Sequence, residues 1–221
     1  MGKLKEHLSK KIPDWRYNYR QLLDEKGDQV TSTVTINTAY SGMKGVKGMI
    51  CDTSSVTADA GLHVRGKHIL DLVDLKPEEI LYLLLIGELP NEEELLDLQH
   101  ELKERSVVPD YVWKVLSGMP KDSHPMAMFN TAILSMQKES KFAEAYDLVV
   151  SKGDYWESTL EDGLNIIAKL PAIGAAVYRL RFEKGDRLEP GDSVDWSENF
   201  LQMMGLDLSL IHISEPTRHE S

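Results

Sequence analysis

Cysteine is almost absent: Cys51 is the only one in 221 residues. No intrachain disulfide can form, and a thiolate metal cage is excluded. A reducing compartment suits such a chain. Long apolar runs are lacking too. The longest strongly apolar stretch, Ile80 to Ile86, is far too short to span a bilayer. No apolar signal core follows Met1, and Glu6 stands where a myristoylation signal requires Ser or Thr. Neither membrane attachment nor export is expected. An excess of positive charge is missing as well. The formal net charge is -11 with both signs mixed along the chain, which argues against binding nucleic acid or anionic lipid.

What is present is an ordinary globular composition, 42% apolar and 28% charged. The length allows one or two domains with a real core. Leu4, Leu8 and Ile12 fall on one helical face, and Pro13 is expected to open a second helix running to about Lys26. Gln29 to Ala39 carries Val30, Val34 and Ile36 among threonines. That composition predicts a strand paired with Val46 to Cys51 across a glycine-rich turn, a small β-hairpin near the N-terminus.

From Ile69 onward the pattern is helical, so the fold class is mainly α. Pro77-Glu78-Glu79 opens one helix, and Asn91 is a candidate N-cap for the next, with Leu95, Leu98 and Leu102 on its apolar face. Pro109-Asp110 and Ser123-His124-Pro125 open two more. The longest runs from Tyr155 to Phe182, with an apolar stripe from Leu160 through Leu164, Ile167, Leu170, Ile173 and Val177 to Leu180. Pro171 should kink it. Ala172, Gly174, Ala175 and Ala176 leave room for a close neighbour, either in a bundle or at a subunit interface. A core helix within one subunit is the plainer alternative. No internal repeat or low-complexity linker is present.

Residues 208–218, Leu-Ser-Leu-Ile-His-Ile-Ser-Glu-Pro-Thr-Arg, continue none of these patterns. They resemble the translation, in one frame, of a transposase adapter used in sequencing libraries. Residues 208–221 are therefore expected to be a non-native, disordered tail, and His212 and His219 to carry no function.

The remaining histidines offer little chemistry. His124 stands at a helix start, where local hydrogen bonding competes with a catalytic reading. His63 alternates with apolar neighbours on an extended segment, and His68 and His100 have no partner at ligand spacing, so no metal site is expected. The run Gly42-Met43-Lys44-Gly45-Val46-Lys47-Gly48 matches neither a dinucleotide fingerprint nor a Walker loop. It reads as a turn or, with two lysines beside accessible backbone, as a phosphate contact. No Ser-His-Asp order, Cys-His pair or nucleophile elbow occurs.

Several stretches in order resemble citrate synthase. They are Ser41 to Gly48, Ala60-Gly61-Leu62-His63-Val64-Arg65-Gly66, Leu85 to Pro90, Ser123-His124-Pro125-Met126, Asp154-Tyr155-Trp156-Glu157, Ile166 to Pro171, and Val194 to Phe200. The resemblance implies that residues 1–207 form the N-terminal part of a large helical domain, incomplete here, in an enzyme that acts as a homodimer. It implies condensation of acetyl-CoA with oxaloacetate to citrate and CoA, an acyl transfer with no permanently bound cofactor. It places the family's catalytic histidines and aspartate beyond the end of this sequence, so the chain is expected to be an inactive front part. Lys44 and Lys152 match positions where relatives contact CoA phosphates, the second across the dimer, with lysine where close relatives carry arginine. A 2-methylcitrate synthase, or a short non-catalytic dimerisation partner, are the alternatives. Because the resemblance begins at Leu4, leaving no room for a presequence, a bacterial cytoplasmic setting is expected.

Overall fold

Spacing by three and four residues folds most of this chain into helices, as a computed structural model describing residues 2–206 shows. The expectations for the adapter-like tail lie outside the described residues. The backbone divides into two units, Lys3–Glu92 and the residues from Glu93 onward.

In the first unit, helix α1 spans Lys3–Lys26 without a break, with Pro13 inside it. The expected second helix start is therefore absent. The carbonyl that Pro13 leaves without an amide partner belongs to Ser9, on the exposed face, where water can satisfy it. Leu4 and Leu8 are buried, and His7 Nδ1 lies 2.7 Å from the Tyr82 hydroxyl on helix α3, Pro77–Ile86. Lys11 reinforces this pairing, donating to Ile86 O and to Glu88 at 2.6 Å.

A small hairpin lies near the N-terminus, but the expected pairing of Gln29–Ala39 with Val46–Cys51 is not formed, and other residues build it. Ile36–Tyr40 is a short helix, α2, because the Thr35 hydroxyl caps Thr38 N at 3.1 Å and starts a turn that β-branched composition alone argues against. The sheet runs β1 (Ser54–Thr57), β2 (Gly61–Val64) and β3 (Lys67–His68), all antiparallel. Arg65 and Gly66 both have positive φ, 47° and 78°, which is the two-residue turn that fits strand twist. Val64 and Leu83 pack with Leu72 into this unit's core, backed by Leu62, Leu75 and Ile80.

The second unit holds helices α4 (Glu92–Arg105), α5 (Asp110–Ser117), α6 (Pro125–Ser135), α7 (Lys141–Asp147), α8 (Tyr155–Arg181) and α9 (Trp196–Met204). In this unit each start predicted at a proline or Asn91 is found. Helix α8 continues through the buried Pro171. Its Ile173 and Val177 join Val112, Leu116, Met128 and Ala132 in one core. The small-residue stretch serves that core. A Cβ on Gly174 would stand 3.5 Å from Phe200 of α9 and 3.8 Å from Phe129 of α6.

Candidate functional site

The glycine run follows α2 directly. Met43 N donates to Thr38 O at 2.9 Å, closing the helix end, and Val46 N donates to Met43 O at 3.1 Å. Gly42 and Gly45 sit at φ 74° and 83°, where a side chain would strain the backbone. A Cβ at Gly42, Gly45 or Gly48 would meet nothing within 4 Å. The run is thus a turn whose backbone lies open on one side. Lys44 is exposed on it.

Lys152 lies in the second unit, on the loop between α7 and α8. Asp154 N donates to Ser151 O at 2.9 Å and Gly153 N to the Ser151 hydroxyl at 3.3 Å, a turn that leaves Lys152 exposed at the start of the Tyr155-Trp156-Glu157 helix. Both lysines are without a hydrogen-bond or ion-pair partner among the described residues, so each ammonium is available to an anion.

His63, His68 and His124 are occupied with structure. His124 Nδ1 accepts from Met126 N at 3.2 Å and caps α6, as its position at a helix start suggested. His68 Nδ1 accepts from Leu70 N in the same manner, and its ring stands edge-on to His63, centroids 5.1 Å apart. Among the described residues no group of three or more His, Cys, Asp or Glu could hold a metal ion, and no helix is long and apolar enough to cross a membrane.

Two features escaped the sequence reading. Arg105 bridges helices α4 and α8, meeting Glu101 at 2.6 Å, Glu161 at 2.8 Å and Asn165 at 3.0 Å. Burial works against its charge, but the two carboxylates outweigh that and raise its pKa. The i,i+4 pair Glu101–Arg105 was visible, whereas the partner from α8 was not. The other is Cys51, whose thiol is exposed and lowered to about 7. Hydrogen bonds from the Thr53 side chain and from the backbone around Ser54 stabilise its thiolate.

A cavity of about 310 Å³ also opens in the second unit, walled by Trp113, Pro171, Leu188, Trp196 and Met203. Arg187 lies over the Trp113 ring at 4.5 Å and is paired with Glu189 at 2.7 Å. The wall is mostly apolar, and of its charged groups Arg187 and Glu189 pair with each other while Lys103 donates to Asp192 O.

The family profile described as citrate synthase, C-terminal domain, matches residues 42–220. This chain belongs to the citrate synthase family. Citrate synthases are acyl-transferring enzymes, and the helical fold with its small antiparallel sheet is theirs. The peroxisomal citrate synthase of Saccharomyces cerevisiae is 35% identical over 98% of this chain and 51% of its own length. The mitochondrial citrate synthase of Daucus carota is 32% identical over 98% of this chain and 49% of its own. The crystal structure of citrate synthase from Pyrobaculum aerophilum superposes with a TM-score of 0.68 at 25% identity, covering 80% of this chain and 45% of that one. The chain spans about half the length of the curated relatives it matches.

These citrate synthases correct one expectation. A bacterial cytoplasmic setting does not stand beside relatives named as peroxisomal and mitochondrial. It rested on where the first residue falls, and that position carries no physical information about address.

Proposed function

We propose that the polypeptide to which this chain belongs condenses acetyl-CoA with oxaloacetate, giving citrate and CoA, and that it works as a homodimer. The observation that carries this reading is the family match over residues 42–220. Lys44 and Lys152 are assigned to CoA phosphates. Their support is the open glycine turn under Lys44 and the unengaged, exposed ammonium of each. A lysine there keeps the charge and gives up the two-pronged geometry of arginine, so phosphate contact is electrostatic and salt-sensitive.

The chain by itself is proposed to be inactive. Proton transfer at the acetyl methyl group needs an acid and a base held against both substrates, whereas His68 and His124 cap helices and His63 stands against the His68 ring. Residues 208–221 are proposed to be the adapter-like tail.

The test is an assay of CoA release with oxaloacetate, using this chain alone and a version extended through the genomic reading frame. Activity in the extended version with acetyl-CoA, and none in this chain, is the expected outcome. Turnover by this chain alone would overturn its inactivity. Activity of the extended version with propionyl-CoA and not acetyl-CoA would assign 2-methylcitrate synthesis instead. A native stop codon directly after Asp207 would point to a short dimerisation partner.

A further inference from the structure

Helix α7 carries no buried residue, yet every amide at its start has a partner. The Asp162 carboxylate, on α8, accepts from Lys141 N at 2.6 Å, from Phe142 N at 3.1 Å and from the Ser140 hydroxyl at 2.6 Å. That hydroxyl in turn accepts from Ala143 N at 3.0 Å, and Ser140 N donates to Gln137 O at 3.0 Å. The amides that a helix start leaves open are thus all answered, two of them by one charged group from another helix. Phe142 adds an edge-to-face contact with Tyr155 at the start of α8, ring centroids 5.2 Å apart. A seven-residue helix has no stability of its own in water, so these contacts are what place α7 against α8.

The loop that follows inherits this placement. Helix α7 closes with Leu148 N on Glu144 O at 3.1 Å and Val150 N on Ala145 O at 3.2 Å. Between them Val149 lies at φ 56°, a left-handed conformation that a β-branched residue keeps only where its surroundings enforce it. The Ser151 turn then presents Lys152 and delivers the chain to Tyr155. Lys152 therefore stands on a short, strained bridge. One end of that bridge is α8 itself, and the other is α7, which Asp162 holds to α8.

We propose that Asp162 is a positioning residue for acetyl-CoA, clamping the start of α7 to α8 and so fixing the bridge that carries Lys152. The proposal rests on the reading of Lys152 as a contact for a CoA phosphate. A lysine meets phosphate as a point charge on a flexible stem, without the fork of arginine, so its contribution depends on where the backbone holds it. Asp162 engages its carboxylate with three donors of the protein, and its effect on the substrate runs through Lys152.

The experiment uses the chain extended through the genomic reading frame, with Asp162→Asn, Ser140→Ala, Lys152→Ala and the pair Asp162→Asn/Lys152→Ala. Citrate formation is measured against acetyl-CoA and against oxaloacetate, and limited trypsin digestion follows cleavage of the Lys152–Gly153 bond. Asp162→Asn should raise KM for acetyl-CoA about tenfold with kcat and KM for oxaloacetate unchanged, and the pair should be no worse than Lys152→Ala alone. It should also speed the cut after Lys152 about tenfold while cuts at other lysines keep their rates. Ser140→Ala removes one donor to the carboxylate and the cap of Ala143, and should move both readouts the same way by less. It carries the test where Asp162→Asn does not fold.

Unchanged cleavage after Lys152 would overturn the clamp. A fall in kcat, or an effect that adds in full to that of Lys152→Ala, would make Asp162 a residue of general stability and overturn its positioning role. A raised KM in Lys152→Ala beside an unaltered Asp162→Asn would remove this inference and leave the phosphate reading standing. Faster cleavage in Asp162→Asn, with a KM for acetyl-CoA indifferent to Lys152→Ala, would do the reverse.

Discussion

Ile173 and Ile50 are the same residue in opposite circumstances: one is 0% exposed within the second unit, the other 80% exposed in residues 13–57 of the first, an arm in which no side chain is buried. Around Ile173 the apolar positions recur at helical spacing on α8, and helices α6 and α9 meet that face with Phe129 and Phe200. Around Ile50 they are scattered among threonines and glycines, and no element of the unit packs on them. Local hydrogen bonds are nonetheless made in both regions. Caps and turns set conformation at short range, while stability comes from covered apolar area.

The sharpest way to break this contrast is to truncate both isoleucines. Ile173→Ala should cost about 2–5 kcal/mol, since it removes buried methyl groups and leaves a hole between three helices. Ile50→Ala should change stability by no more than about 0.5 kcal/mol. Urea midpoints of the two variants measure this directly. Equal losses would mean that the arm is buried in the free chain.

Arg105→Met should rank next, lowering stability by about 1–2 kcal/mol, because Glu101 and Glu161 lose a shared donor in a half-buried setting where solvent screens part of the interaction. Glu101→Gln in the Arg105→Met background should then add little. Strictly additive losses in this double-mutant cycle would show that the bridge does not act as a unit.

The second unit was legible because its signals are periodic and reinforced. Proline or Asn91 marks each start from α4 to α6, and the α8 stripe repeats at seven apolar positions from Leu160 to Leu180. The arm was misread for a physical reason. Val30, Val34 and Ile36 have the composition of a strand, but strand pairing needs a covered face to select its register, and here one threonine cap outweighs propensity. Pro13 misled in the other direction, since a single lost hydrogen bond on an exposed face does not end a helix whose neighbouring turns are buried at Leu4 and Leu8. Of the proposed site, the sequence offers single positions only. Lys44 and Lys152 come from motifs, and sequence spacing carries no information about the open space beside a glycine or the partners of an ammonium. The Arg105 bridge joins residues sixty positions apart in the chain, which no local pattern reports.

Helix caps test the same contrast at smaller scale. Asp195 accepts from Ser197 N at 2.9 Å and Glu198 N at 3.1 Å at the start of α9, a helix packed on α8. Asp195→Ala should cost about 1 kcal/mol of global stability. Thr35→Ala removes the equivalent bond from α2, yet should leave the urea midpoint in place and only hasten exchange of the Thr38 amide. A lowered midpoint for Thr35→Ala would place the arm inside the cooperative unit.

The smallest effect concerns chemistry without burial. Cys51 gains nothing from a core, but hydrogen bonds from Thr53 and the neighbouring backbone hold its thiolate and bring the pKa to about 7. The thiolate is the reactive form, so alkylation by iodoacetamide should rise with pH, reach half its maximum near pH 7, and level off above it. Thr53→Ala removes the largest contribution and should move the midpoint upward toward the ordinary thiol range, slowing the reaction at neutral pH with no change in the plateau. An unmoved midpoint would mean that the loop around Cys51 does not hold its hydrogen bonds in solution. The arm would then differ from the second unit in local order as well as in what covers it.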